Sequence, residues 1–307
     1  MKQLIINADD FAMTPGINRA IAECHRNGIL TSTTIIANGD AFDDAVRRLA
    51  ELPSLAVGVH LNLSQGRPAS PADEIPTLLD SRGELFLKPA RLLHRLASNK
   101  VRPAHIEREL RAQVRLAIQA GISPDHLDGH LHTHVVPGVR EIVIGLAREF
   151  GIPAVRCPVE RTRKTKRQGY VGSRRSARAI PGRAARRVVT EGISFFARRF
   201  AKLLDAADLL RPEHFTGNAY VGAFDAGAVR DVLDSLEDGV TELMCHPGYV
   251  DAALPATGGS LQQQREAEVQ ALTSPTIREH LNALGIQLTS YGGVFGGAKS
   301  PIVKSAL

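Results

Sequence analysis

Short apolar runs alternate with stretches of helical periodicity along the whole chain. The runs "QLIINADD", "STTIIAN", "LAVGVHLNL", "DHLDGHLH", "IPAVRCPV", "HFTGNAYVG", "VTELMCHPG" and "IQLTSYGGV" read as strands, bounded by Gly, Pro, Asn and Asp. Between the first two lies "TPGINRAIAECHRNG", where Thr14 can cap a helix, Pro15 suits its first turn and Gly28 can stop it. Ile17, Ile21 and Cys24 form its apolar stripe. Phe42, Val46 and Leu49 share one face of the next helix, and Ile106, Leu110, Val114 and Ile118 follow at intervals of four. "VREIVIGLAREFG" and the pattern Val229, Val232, Leu233, Leu236 predict two more. Strand–helix alternation over 307 residues predicts an α/β fold, a distorted or incomplete (β/α) barrel. An open doubly wound sheet is the alternative, but no Gly-rich phosphate loop follows the first strand. With no internal repeat and no sharp linker, residues 1–307 are expected to form a single domain.

Composition changes this picture in one place. Apolar residues at 43% and charged residues at 23% are ordinary for a globular protein with a sizeable core. Cys24, Cys157 and Cys245 are scattered and odd in number, which points to a reducing compartment. No secretory signal and no 18-residue apolar run is present, so a soluble, cytoplasmic protein is expected. The net charge of +6 is unevenly spread. Residues 161–200 hold 13 of the 38 Lys and Arg and a single acid, Glu191. They are expected to form a basic helical insertion or lid, at about 160–205, in which Val188, Val189, Ile193, Phe195, Phe196 and Phe200 supply the buried side. Its arginines suit an anionic membrane or glycolipid headgroup. Nucleic acid is not expected, because the stretch offers few aromatics for stacking. Oligomeric state is open, a homo-oligomer included.

The chemistry-bearing residues fall at strand ends, where β/α barrels place reactive groups. The first strand ends in Asp9-Asp10, the third carries His60 and Asn62, and the seventh runs into His246. The fourth, "DHLDGHLHTHVVPG", sets His126, Asp128, His130, His132 and His134 at every second position, which on a strand is one face. Each has a plainer use: paired carboxylates cap helices, a lone histidine fills a core, and "HPG" makes a turn. Their coincidence at strand ends predicts a shared rim, with oxygen and nitrogen donors for Zn²⁺ or another divalent ion. Arg265 and Glu266 lie on a late helix, either in solvent or facing that rim.

"INADDF", "GILTSTTIIANG", "VGVHLNL", "HLDGHLHTH" and "MCHPGYVD" resemble, in order, motifs of the YdjC-like carbohydrate deacetylases. That resemblance implies a metal-dependent hydrolase that removes acetyl groups from acetylated amino sugars, free or lipid-linked. It implies one divalent ion on Asp10, His60 and His130, with zinc or magnesium foremost and cobalt, nickel or manganese as alternatives. It further implies Asp9 as general base and His246 as proton donor. His132, His134, Asn62, Asp128 and Arg265 would bind substrate or orient the ligands. Another metallohydrolase, such as a phosphoesterase, and a non-catalytic carbohydrate-binding protein are the competing functions. The chain departs from the family at Ala12, where glycine is usual. If φ is positive there, alanine costs about 1 kcal/mol.

Overall fold

The computed structural model describes residues 1–160, 183–257 and 261–297. All eight expected strands form. They are β1 (Lys2–Phe11), β2 (Ser32–Ile35), β3 (Ala56–Leu61), β4 (His126–Gly129), β5 (Ala154–Val155), β6 (His214–Thr216), β7 (Gly239–Cys245) and β8 (Gln287–Thr289). Every pairing is parallel, in the order β5-β4-β3-β2-β1-β7-β6. β8 adds to the first half of β1, Gln3 to Ile5, on the edge whose second half belongs to β2. The sheet curls until its edges touch: Leu210, just before β6, exchanges backbone hydrogen bonds with Pro153 and Val155 at 2.9 Å. This is the distorted (β/α) barrel that the alternation predicts.

Alternation along each strand separates an inner face from an outer one. On β1, Leu4, Ile6 and Ala8 face outward into a cluster with Ile17, Ile21, Val269 and Leu272, from α1 (Pro15–Asn27) and α8 (Gln264–Leu272). Val59, Leu61, Leu127 and Val155 join a second cluster with Ile106, Leu110 and Val114 of α4 (Pro103–Gln119). Ile5, Ala154, Val240, Tyr291 and Phe295 close the barrel floor, the last two from α10 (Tyr291–Phe295). Above that floor the interior is polar, with Glu242 and Arg156 fully buried.

The helices between follow their signals. Thr14 accepts from the Ile17 amide and caps α1, Pro15 opens it and Gly28 ends it. α2 (Phe42–Leu49), α3 (Pro89–Ala97), α5 (Arg140–Glu149), α6 (Arg183–Ala206), α7 (Ala226–Ser235) and α9 (Pro275–Ala283) complete the set. Ile118 is 39% exposed, although Ile106, Leu110 and Val114 are buried. A spacing of four drifts by about 40° per step at 3.6 residues per turn, so the stripe leaves the core after three steps.

Two expectations are corrected. β4 stops at Gly129, because Leu131 and His132 take φ of 54°, and His130–Val135 is a tight helical turn instead of more strand. On α6, Phe200, Phe196 and Ile193 pack inward or lie half-buried, but Val188, Val189 and Phe195 are exposed. Its buried side is completed by Thr190, Ser194 and Ala197. At 100° per residue Val188 and Phe195 sit opposite Ala197, so one face cannot hold all six apolar residues. Burying Phe200 contributes about 1.5–3 kcal/mol to that seam. The basic stretch 161–182, the larger part of the expected insertion, lies outside the described residues.

Candidate metal and catalytic site

Two adjacent aspartates on a regular strand would point to opposite faces. Here both reach the rim. The β1–β2 register advances three residues on β1, Ala8 to Phe11, against two on β2, Thr33 to Ile35. This is a β-bulge, and Asp10 inside it has φ 70°. Aspartate tolerates that left-handed conformation better than most residues. Ala12 follows with φ 78°, the strained case foreseen for the missing glycine. Its carbonyl accepts from the Ala41 amide and its N–H donates to Asn18, which holds the loop in shape.

Asp10 divides its oxygens between two duties. Oδ1 lies 3.1 Å from His130 Nδ1 and 3.6 Å from His60 Nε2, while Oδ2 accepts from Arg265 at 2.5 Å. His60 Nδ1 is tied to Asp128 at 2.7 Å, which turns Nε2 toward Asp10. Thr34 donates to the other Asp128 oxygen at 3.1 Å. One donor atom from each of Asp10, His60 and His130 falls within 4.8 Å of the others, and all three residues are buried. A carboxylate with two imidazoles, one backed by a second carboxylate, fits a divalent ion. One donor atom from each of Asp9, His60 and Asp128 also falls within 4.8 Å of the others, but Arg156 already engages both of those carboxylates.

Asp9 sits beside this trio in the fork of Arg156, with Nη1 and Nη2 at 2.8 and 2.7 Å from its two oxygens. Arg156 also meets Asp128 at 2.7 Å and Glu242 at 2.7 Å, and Tyr291 donates to Glu242 at 2.6 Å. The short strand β5 delivers it: Ala154 faces inward, Val155 outward, and Arg156 inward again. The bidentate fork fixes the Asp9 carboxylate plane. Sequence reasoning missed Arg156. Its only signal was a cation closing an apolar run in "IPAVRCPV".

His246 follows β7 on the inward side, its Nε2 3.9 Å from Asp9 Oδ2. His130 is 9% exposed and the His246 ring 14%, so the site reaches solvent past these two rings. His132 and His134 arrive through the left-handed turn instead of by strand alternation. His132 Nε2 pairs with Asn218 Oδ1 at 2.7 Å, and His134 Nε2 with the Arg156 carbonyl at 3.2 Å. Asn62 shapes the loop after β3: its amide donates to the Gln65 carbonyl and accepts from the Ser64 amide. Arg265 is 4% exposed, on the rim and not in solvent.

Burial opposes ionisation throughout, and the local charges decide the outcome. For Asp9 burial alone would raise the carboxyl, but Arg156 and His60 outweigh it and hold it below its ordinary value. Asp10 stays well below the usual range, because Arg265 and His130 overcome the same penalty. Burial would lower His60, yet Asp128 and Asp9 raise it to about 9. Burial prevails for three rings: His246 and His132 drop to about 4 and His134 to about 3. It also lifts Glu268, beneath His246, to about 8.

Fold and site together define a β/α-barrel protein with a buried Asp-His-His trio able to hold a divalent ion and a clamped second aspartate beside it. The profile of the YdjC-like protein family matches residues 3–283, and the chain belongs to that family. It is 33% identical to a carbohydrate deacetylase of Brevibacillus brevis, over 94% of this chain and 98% of the relative. A carbohydrate deacetylase of Mus musculus is 33% identical over 93% of each chain. Among solved structures, a protein of Enterococcus faecalis V583, described as a proposed cellobiose-phosphate cleavage protein, superposes with a TM-score of 0.75. It is 26% identical, over 96% of this chain and 99% of that one.

Proposed function

We propose that the chain is a metal-dependent hydrolase that removes N-acetyl groups from acetylated amino sugars and releases acetate. The observation that carries this is the pairing of two functions on one rim. Asp10, His60 and His130 can hold an ion, and Asp9 and His246 stand beside them free of that duty. The relatives described as carbohydrate deacetylases support the same reading. A divalent ion held by the trio would supply Lewis acidity, acidifying water and polarising the acyl carbonyl. Zinc or magnesium is our preferred identity.

The protein's own groups manage the protons. Arg156 keeps Asp9 ionised and oriented, ready to take a proton from attacking water. His246 is neutral at rest because burial lowers it to about 4, so the proton it gives the leaving nitrogen is acquired within the cycle. Asp9 Oδ2, 3.9 Å from its Nε2, is the nearby source. Amine expulsion requires that proton, which makes the Asp9–His246 pair the directional element of the reaction. A phosphoryl substrate is disfavoured: the rim cations Arg156 and Arg265 are both buried and committed to carboxylates.

We read residues 1–307 as one catalytic unit, since all eight strands share one sheet. No helix among the described residues is long and apolar enough to cross a membrane. We favour a cytoplasmic location. A lipid-linked substrate is favoured by α6, where exposed Val188, Val189 and Phe195 stand among the exposed Arg187, Arg198 and Arg199. The deciding experiment is acetate release from N-acetylglucosamine oligosaccharides and glycolipids, by chelated protein resupplied with single metals. Release should require metal, vanish in His130→Ala, and vanish in Asp9→Asn while sugar binding survives. No release with any metal sinks the proposal.

A further inference from the structure

The loop that carries His246 holds its imidazole 3.9 Å from Asp9. Its support comes from one face of α8, where Arg265 and Glu268 lie three residues apart and therefore side by side. Glu268 is 1% exposed, and its Oε2 accepts from the His246 backbone N–H at 2.5 Å. Arg265 Nη1 donates to the His246 carbonyl at 3.3 Å, and the Arg265 carbonyl accepts from the Gly248 amide at 3.3 Å. The His246 peptide is thus held at both its polar ends by one helix turn.

The same turn reaches the metal site. Arg265 Nη2 holds Asp10 Oδ2 at 2.5 Å and leaves Oδ1 to the two imidazoles. Close approach depends on Gly248, because a Cβ there would lie 2.9 Å from Arg265 Cδ and 3.0 Å from Ile17 Cγ1. Glu268 has no place in the proton transfers above, and a carboxyl buried this deeply costs stability unless something uses it.

We propose that Arg265 and Glu268 form a clamp that positions the hydrolytic machinery, Glu268 acting on His246 alone and Arg265 on both His246 and Asp10. This rests on the deacetylase reading and adds to it a division of labour on one helix turn. Glu268 is a positioning residue for the proton donor. Arg265 ties donor placement to the geometry of the metal carboxylate.

The test is a split between readouts, using the full chain. Glu268→Ala should lower kcat by about 10–100-fold, the effect of roughly 1 Å of misplacement. Its KM and its metal affinity, read by calorimetric titration of the ion alone, should be unchanged. Hydrogen exchange at the His246 amide should accelerate in the same variant. Glu268→Gln, whose amide oxygen can accept the same bond, should restore kcat and amide protection. Arg265→Lys cannot bridge both groups, and should lower kcat together with metal affinity, the latter by about tenfold or more. If Glu268→Ala does not fold, Glu268→Met, which fills similar volume, carries the test. Wild-type turnover with Glu268→Ala within threefold of it overturns the clamp, as does a proportionate loss of metal affinity. Absence of wild-type turnover on every acetylated sugar overturns the underlying reading instead.

Discussion

Two arginine–carboxylate clusters in this molecule use the same chemical groups to opposite ends. On the outside of α4, Arg111 meets Glu107 at 2.6 Å and Glu149 at 2.9 Å, with side chains 29%, 46% and 36% exposed. In the barrel, Arg156 meets Asp9, Asp128 and Glu242 at 2.7 Å each, and none of the four side chains is more than 4% exposed. The distances are nearly equal and the surroundings are not. Water screens the outer cluster, where such pairs contribute about 0–1 kcal/mol. The inner one has lost its hydration, so its ion pairs first have to offset that cost. Contact distance therefore says little about what a pair does. The surface pairs tune a helix, and the buried set fixes where the Asp9 carboxylate points.

Removing the central cation tests that contrast most severely. Arg156→Met would leave three buried carboxylates facing one another, and should cost about 3–5 kcal/mol in urea unfolding along with turnover. A loss below about 1 kcal/mol would show that the buried set behaves like the surface one. Next in size is a proton. With no ion bound, His60 is raised to about 9 from an ordinary 6.5. Its charged form therefore contributes stability that is complete below about pH 6.5 and lost as pH rises through about 9. An ion held by His60 would have to displace that proton, so uptake should weaken as pH falls and release one proton per ion at neutral pH. Calorimetry in buffers of different ionisation enthalpy reads this directly, and zero release would mean that the buried carboxylates do not hold His60 charged.

A smaller effect belongs to the backbone beneath the buried cluster. Ala12→Gly relieves a positive φ at the end of β1 and should stabilise by about 0.5–1 kcal/mol in thermal unfolding. Destabilisation would mean that the Ala12 methyl packs well enough to outweigh the strain. Smallest of all, Glu149→Gln should stay within about 1 kcal/mol of the parent. A larger loss would break the comparison from its other side.

Much of this arrangement was legible beforehand. Strand periodicity located all eight strands, and strand-end logic gathered Asp9, Asp10, His60, His130 and His246 at one rim. What periodicity could not report is where a strand stops. His132 and His134 keep the two-residue spacing of "DHLDGHLHTH", yet a left-handed turn at Leu131 and His132 carries them there. The bulge at Asp10, which lets adjacent aspartates share a site, is likewise a matter of register between β1 and β2. Arg156 and Glu268 were missed for a different reason. Each looks like an ordinary surface charge in its own segment, and only partners 147 and 22 residues away reveal its burial. Val188 and Phe195 failed the other way, since their apolar character said nothing about which side of α6 they occupy.

β1 has a consequence for how the molecule comes into being. One of its edges is covered by β7, and the other is shared between β2 and β8, so that Gln3 pairs with both Val240 and Gln287. During vectorial synthesis the strand bearing both aspartates would leave the ribosome long before either distant partner exists. It has to wait with unpaired backbone N–H and C=O groups along an open edge, and pairings of such sequence separation are the slow ones in folding. β1, made before every strand it pairs with, is thus among the last to be finished, and newly made chains should engage a chaperone until β7 and β8 arrive.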